Sequence, residues 1–346
     1  MKAKYLLLYE KIKREIASGA FAEGRKLPSK RTLAADEGVS VITVENAYAL
    51  LEEEGYIEAR ERRGYFAVGG NNFNHSETVV IRHEKPFAVG EYFPYSVYAK
   101  TTRKVLSDYG ERTLSKSSPF GCEELRRAIA SYLARSRNIF VDYTQVFIGS
   151  GSEYLYGLIA QFFGQGKVFG VEDPSYEKIS LVYGANGVKC EKLKLSADGI
   201  GGEELSDSAA DVLHITSYKS YPSGVTASRA KKKGYAEWAE KKGAYIVEDD
   251  FSSEFHPSAM PVETVFSLSD RVIYLNTFSK TVAPSLRVGY MAMPKDLAEE
   301  FSKKLGFYSC TVPLLDQLVL AELLNGGDFE RHLNRIRRKI RRERQM

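Results

Sequence analysis

Apolar residues Leu8, Tyr9, Ile12 and Ile16 recur at helical spacing, and Gly19 closes that pattern. Leu27-Pro28-Ser29 follows, with Ser29 placed as N-cap of a short second helix that carries Leu33 and Ala34 and stops at Gly38. Ser40 caps a predicted third helix, whose inner stripe is Val44, Ala47, Tyr48 and Leu51 and whose end is Gly55. Residues 56–60 and 65–68 then flank Glu61-Arg62-Arg63-Gly64 as a β-hairpin. Two short helices with a tight turn, then a hairpin, predict a winged helix-turn-helix over residues 1–69. The turn-rich, weakly apolar stretch that begins at Gly69-Gly70-Asn71-Asn72 reads as a linker, taken as residues 70–85.

From residue 86 the texture changes. Leu125, Ala128, Ile129, Tyr132 and Leu133 mark an amphipathic helix. Compact apolar runs then follow at 146–148, 168–171, 190–195, 212–215, 245–247, 272–275 and 288–293, separated by helical stretches such as 154–163 and 227–242. Seven such runs predict an α/β fold with a seven-stranded, mostly parallel sheet covered on both faces. Ligands of such sheets sit beyond the carboxyl ends of the strands, so the residues after each run carry the candidate chemistry.

Gly149-Ser150-Gly151-Ser152 opens a helix, and small residues there leave bare N–H groups for a phosphate, although capped strand-to-helix turns are common. Tyr176 follows Glu172-Asp173-Pro174-Ser175 on the same rim, as one of 22 tyrosines. Glu248-Asp249-Asp250 ends another run; three adjacent carboxylates are costly if buried and call for a cationic partner, or else form a solvated loop. Lys280 lies beyond the run 272–275, where a lysine either is solvated or has the depressed pKa suited to Schiff-base chemistry.

Composition narrows the class. The 346 residues, 43% hydrophobic, suffice for a sizeable core and about two or three domains. No stretch of 18 apolar residues and no leader-like start is present, so neither membrane nor export is expected. Cys122, Cys190 and Cys310 are far apart and lack metal spacing; they read as reduced thiols of a cytoplasmic protein, with no metal site. The net charge of +4 is uneven: residues 331–346 alone carry +7, leaving −3 for the other 330. Overall basicity is therefore no argument for DNA binding, and that case rests on particular residues.

Those residues resemble a family. Leu27-Pro28-Ser29-x-Arg31-x-Leu33-Ala34, Val39-Ser40-x-x-Thr43-Val44 and Tyr48-x-x-Leu51-x-x-x-Gly55-Tyr56-Ile57 resemble the GntR pattern across the first module. The resemblance implies DNA contacts from Ser29, Arg31, Ser40, Thr43, Arg63 and Gly64. Many members carry arginine where this chain has Val41, and an apolar side chain can meet a thymine methyl but cannot grip guanine. Downstream, Ser-Gly-Ser, Asp-Pro-x-Tyr, Pro-Ser-Gly, Glu-Asp-Asp, Thr-Phe-Ser-Lys and Pro-x-Leu-Arg occur in the order of a type I aminotransferase. The whole arrangement resembles the MocR branch of the GntR regulators, in which a pyridoxal 5′-phosphate-dependent transferase-like domain, here residues 86–346, follows the winged helix.

By that resemblance, Lys280 is the catalytic residue that bonds the cofactor's aldehyde. Asp249 pairs with its ring nitrogen and Tyr176 stacks on its ring. Ser150, Gly151, Ser152, Ser279 and Arg287 hold its phosphate. The expected protein is a homodimeric, operator-binding transcription regulator that senses an amino-acid or amine effector; the competing reading is an aminotransferase with an accessory DNA-binding domain, and a third is a decayed regulator without cofactor. Four departures bear on this choice. Phe251 stands where the family has a tyrosine for the cofactor's phenolic oxygen, Lys116 stands in a segment that usually begins with tyrosine, and Lys219 takes the place of a histidine. The family's small C-terminal domain, which grips a substrate carboxylate, has no counterpart before Met346. Slow half-transamination at most is expected, with the basic stretch 331–346 as an exposed linking helix.

Overall fold

A computed structural model describes residues 4–22, 24–60, 63–68, 93–256 and 262–343. The chain divides into two compact units, residues 1–86 and 87–346. The predicted linker, 70–85, lies outside the described residues.

The first unit contains α1 (Lys4–Ala17), α2 (Lys30–Asp36), α3 (Val41–Glu53) and a hairpin of β1 (Ile57–Arg60) and β2 (Gly64–Ala67). Both predicted caps form. The Ser29 and Ser40 hydroxyls accept from the backbone N–H groups of Thr32 and Thr43 at 3.1 and 3.2 Å, each meeting a donor that its helix leaves unpaired. Between α2 and α3 the chain reverses at Gly38, whose φ of +61° suits a residue without Cβ. Leu8, Ile12 and Ile16 of α1 pack with Leu33, Val44, Ala47, Tyr48, Leu51, Ile57 and Ala67 in one core. Tyr48 is fully buried, and its hydroxyl donates to the Pro28 carbonyl at 2.8 Å, tying α3 to the turn before α2.

The second unit begins with α4 (Tyr95–Tyr109) and α5 (Glu123–Arg137), and then strands and helices alternate. The strands are β3 (Val146–Gly149), β4 (Val168–Asp173), β5 (Lys189–Ser196), β6 (Gly199–Ile200), β7 (Val212–Ile215), β8 (Tyr245–Asp249), β9 (Val272–Thr277) and β10 (Gly289–Ala292). The helices among and after them are α6 (Ser152–Phe163), α7 (Glu177–Ala185), α8 (Gly202–Asp207), α9 (Arg229–Lys242), α10 (Lys295–Leu305), α11 (Leu314–Asn325) and α12 (Asp328–Glu343). The sheet order is β3-β10-β9-β8-β7-β4-β5-β6. Neighbours from β9 to β5 pair in parallel, whereas β10 is antiparallel to both β3 and β9. All seven predicted runs are strands. The eighth, β6, is a two-residue return against the end of β5, too short to leave an apolar run.

Alternate side chains of each strand enter opposite layers. Phe147, Phe169, Ile273, Leu275 and Met291 pack with α6, α7 and α10. On the other face, Ile148, Tyr274 and Tyr290 meet α5, α11 and α12, while Leu213 and Ile246 meet α9. The basic helix α12 is not the fully exposed linker expected: Phe329, His332, Leu333 and Ile336 are buried, and the arginines Arg331, Arg335 and Arg338 take the outer side. Among the described residues, no helix is long and apolar enough to cross a membrane.

Since Ser40 supplies a cap, Ser40→Ala is expected to lower the stability of the winged-helix unit by about 1 kcal/mol. Urea titration of residues 1–69, followed by circular dichroism, measures it. An unchanged midpoint would show that the cap hydrogen bond is replaced by water without cost.

Candidate functional site

The carboxyl ends of β3, β8 and β9 bring the singled-out residues to one rim. Gly149 ends β3, Asp249 ends β8 and Thr277 ends β9. Because β10 runs the other way, its first residue, Gly289, joins the same edge, paired with both Gly149 and Thr277. Residues 150–152, 250–251, 278–280 and 287 therefore leave the sheet side by side.

The acidic run is buried, not solvated: Glu248, Asp249 and Asp250 are 0, 2 and 3% exposed. Glu248 accepts from the Ser217 hydroxyl at 2.6 Å and from the Phe266 backbone N–H at 3.0 Å, while burial pushes its carboxyl pKa up and Asp250 adds to the shift. Asp250 accepts from the Tyr274 hydroxyl at 2.8 Å. The expected cation is Arg137, at the end of α5, which lies 3.4 Å from Asp250 and 3.3 Å from the equally buried Glu254. Burial alone would weaken the Arg137 guanidinium's hold on its proton, but the two carboxylates outweigh it and keep its pKa well above the ordinary value.

Asp249 is provided for differently. Its Oδ2 accepts from the Tyr156 hydroxyl, and His214 Nε2 stands 3.8 Å away. Tyr183 fixes the other side of that imidazole through a 2.7 Å contact with Nδ1. Among the described residues, Asp249 Oδ1 is buried without a hydrogen-bond partner, as is His214 Nε2. A carboxylate oxygen left in that state is costly unless a donor reaches it.

Lys280 follows β9 with its ammonium 3.6 Å from the centroid of the Phe251 ring. The residue reaches open space, yet the protein around the amine desolvates it and draws its pKa down to about 8, with Asp249 pulling the other way. The phenylalanine that replaces the family's tyrosine thus forms the seat of this lysine.

At the other end of the rim, α6 starts without a side-chain cap, and Gly151 before it has a φ of +87°. That φ is one that residues with a side chain rarely adopt, and a Cβ on Gly151 would lie 2.9 Å from Nη2 of the Arg287 guanidinium, which sits close to the bare helix N-terminus. Arg287 is exposed and 3.8 Å from Glu153. Ser150 donates to Thr311 Oγ1, and Ser279 to the Leu286 carbonyl at 2.9 Å. Ser152 is the first residue of α6. Tyr176 precedes α7, half-buried, with its ring edge-on to Tyr221 at 6.3 Å and beneath the Lys178 ammonium at 5.9 Å. Lys116 is exposed, and Lys219 adopts a φ of +50° beside Ser220, which donates to Glu172.

Arg137, Tyr156 and His214 escaped the sequence reading. A histidine inside the apolar run Val212-Leu213-His214-Ile215 was the available signal, since every residue of that strand is buried.

In the first unit, Ser29 and Ser40 spend an acceptor on their caps, and the Thr43 hydroxyl lies 2.8 Å from that of Ser40. Arg31 is exposed on α2, and Arg63 and Gly64 are exposed at the hairpin turn. Lys30 is engaged with Glu45 at 2.7 Å and lies over Tyr65. Arg62 is outside the described residues.

Residues 4–67 match the family described as "Bacterial regulatory proteins, gntR family". The uncharacterized HTH-type transcriptional regulator YdeL of Bacillus subtilis is 32% identical, over 98% of this chain and 77% of its own length. The probable rhizopine catabolism regulatory protein MocR of Rhizobium meliloti is 29% identical, over 96% of this chain and 73% of its own length. The chain belongs to the MocR subfamily of the GntR regulators. Its larger unit has the fold of aminotransferases. Kynurenine aminotransferase of Pyrococcus horikoshii superposes with a TM-score of 0.65 at 26% identity, covering 72% of this chain and 65% of that one. LysN, the alpha-aminoadipate aminotransferase of Thermus thermophilus, gives 0.63 at 27% identity, covering 71% and 64%. This MocR-type regulator thus spans about three-quarters of its curated relatives' length and slightly less than two-thirds of the enzymes'.

In this MocR-type regulator, Arg137→Ala removes the cation paired with the buried Asp250 and Glu254, which is expected to cost about 3–5 kcal/mol. Calorimetry should show the larger unit melting well below the parent. An unshifted transition would mean that the acids take up protons at no cost.

Proposed function

We propose that this DNA-binding regulator holds pyridoxal 5′-phosphate at the rim between Asp249 and Lys280, and uses that site to sense an amino acid or amine. The observation that carries the reading is Asp249 Oδ1, a buried carboxylate oxygen with no hydrogen-bond partner among the described residues. When bound, the cofactor supplies an aldehyde for amines and a protonated ring that withdraws electrons. Its ring N–H suits Asp249, whose other oxygen is already held by Tyr156. Its phosphate suits the N-terminus of α6, with Gly151, Ser150, Ser152, Ser279 and Arg287 around it. Tyr176 is the aromatic residue we assign to the ring's face.

Lys280 offers an amine that loses its proton far more readily than an ordinary lysine, because burial removes the water that would favour its charged form. Phe251 supports that amine but has no hydroxyl for the cofactor's phenolic oxygen. This favours exchange of amines at the site over efficient transamination, and so a sensor over an enzyme. Residues 1–69 act as the DNA-binding module, residues 70–85 as the tether and residues 86–346 as the sensor. A homodimer would present two winged helices to one operator.

Adding pyridoxal 5′-phosphate to the purified protein is expected to produce the visible absorption band of bound cofactor, and borohydride should fix its mass to the peptide containing residue 280. Lys280→Ala should lose both. The rate of capture should rise through pH 8 and level off above it, since the reactive neutral amine dominates only above its pKa of about 8. A wild-type protein that shows neither signal with excess cofactor would leave the decayed-regulator reading.

Arg31→Ala is expected to weaken binding to all duplexes and to reduce the slope of log affinity against log salt by about 0.9, the share of one phosphate. Fluorescence anisotropy across a salt series measures this. An unchanged slope would remove Arg31 from the DNA backbone.

A further inference from the structure

In a winged helix-turn-helix the second helix of the motif, here α3, enters the major groove and its outward side chains read base edges. Val44, Ala47, Tyr48 and Leu51 face the core, so the opposite side of α3 is Ile42, Asn46 and Ala49, at successive intervals of four and three residues. All three are exposed, Ile42 by 68%, which is unusual for an isoleucine. Val41, 43% exposed, widens the apolar patch at the helix start.

What this face lacks is as informative as what it has. Residues 41–53 contain no lysine or arginine, the side chains that bond the two acceptors of guanine. Glu45, the residue on this turn able to accept from cytosine's amino group, is held by Lys30 at 2.7 Å. The Ser40 and Thr43 hydroxyls lie against each other at 2.8 Å within the cap. An apolar side chain fits the thymine C5-methyl, and an asparagine amide fits adenine N6 and N7 together.

We infer that α3 reads an A·T-rich half-site, with Ile42 on a thymine methyl and Asn46 on an adjacent adenine. The inference rests on the reading that the first unit binds operator DNA, and it adds the base class that the operator must present.

The test uses the full chain and duplexes that it enriches from a random-sequence pool. The enriched half-sites should share A·T pairs. Replacing each thymine in turn by deoxyuridine removes only the methyl group, and at the contacted position it should weaken binding about fourfold, the worth of one buried methyl-sized group. Ile42→Ala should weaken binding to the thymine duplex and be indifferent to that replacement. Asn46→Ala should cost roughly tenfold or more and become indifferent to 7-deazaadenine at its own position. Both residues are exposed, so thermal melting of the variants should match the parent and exclude misfolding. Enriched half-sites dominated by G·C pairs, or parent binding insensitive to both base analogues, would overturn the inference while leaving sequence-specific DNA binding intact. A pool from which nothing is enriched would overturn both.

Discussion

Four carboxylates, Glu248, Asp249, Asp250 and Glu254, are buried within seven residues at the end of a central strand. Such a group is stable only where each acid meets donors or a cation, and the surrounding elements are arranged to provide them. Arg137 comes from the last turn of α5, Tyr156 from α6, His214 from β7, Ser217 from the segment after β7, and Tyr274 and Asn276 from β9. Both layers of helices are therefore tied to the same strand end. Asp249, Asp250 and Glu254 each have one supported oxygen and, among the described residues, one buried oxygen without a hydrogen-bond partner. Asp249 differs in that its neighbours are a tyrosine hydroxyl and an imidazole rather than Arg137. The Arg137 charge compensates Asp250 and Glu254, and the open oxygen of Asp249 is the one we assign to a ligand that carries its own N–H.

Lys280 complements that arrangement. A neutral amine needs desolvation, while a nearby carboxylate favours the charged form; here desolvation wins, and the pKa falls to about 8. Glu172, at the end of β4, is pushed by burial to about 7, with a smaller push from Asp249. Near neutrality Glu172 is therefore partly protonated, while Lys280 keeps most of its charge and sheds it above about pH 8. Phe251 belongs to the same balance: its ring face receives the ammonium, a role open to a tyrosine as well, but it brings no hydroxyl to a ligand's oxygen.

The winged-helix unit follows a different logic. Its stability is local, in two serine caps, a turn at Gly38 and a single apolar core. Its candidate reading face is likewise set by α3 alone. Periodicity there placed the core residues, and so also decided which residues are left outward.

How much was legible depends on the sequence distance between cause and effect. The helices and hairpin of the first unit, the caps at Ser29 and Ser40, and all seven long strands of the second were readable, because each depends on neighbours within a few positions. The rim was readable too, since residues following parallel strands gather at one edge whatever their spacing in the chain. The partners of the acidic run were not. Arg137 lies more than a hundred positions before Asp250, and nothing local in α5 distinguishes it from an ordinary arginine near a helix end. The same holds for Tyr156 and His214 around Asp249, for the Phe251 ring beneath Lys280, and for α12, whose basic residues hid the apolar face that docks it. Local pattern thus determined the elements and the order of the motifs. Which charge meets which, and which oxygen is left open, was decided only by packing, because burial sets the worth of a charge and burial is a property of the assembled chain.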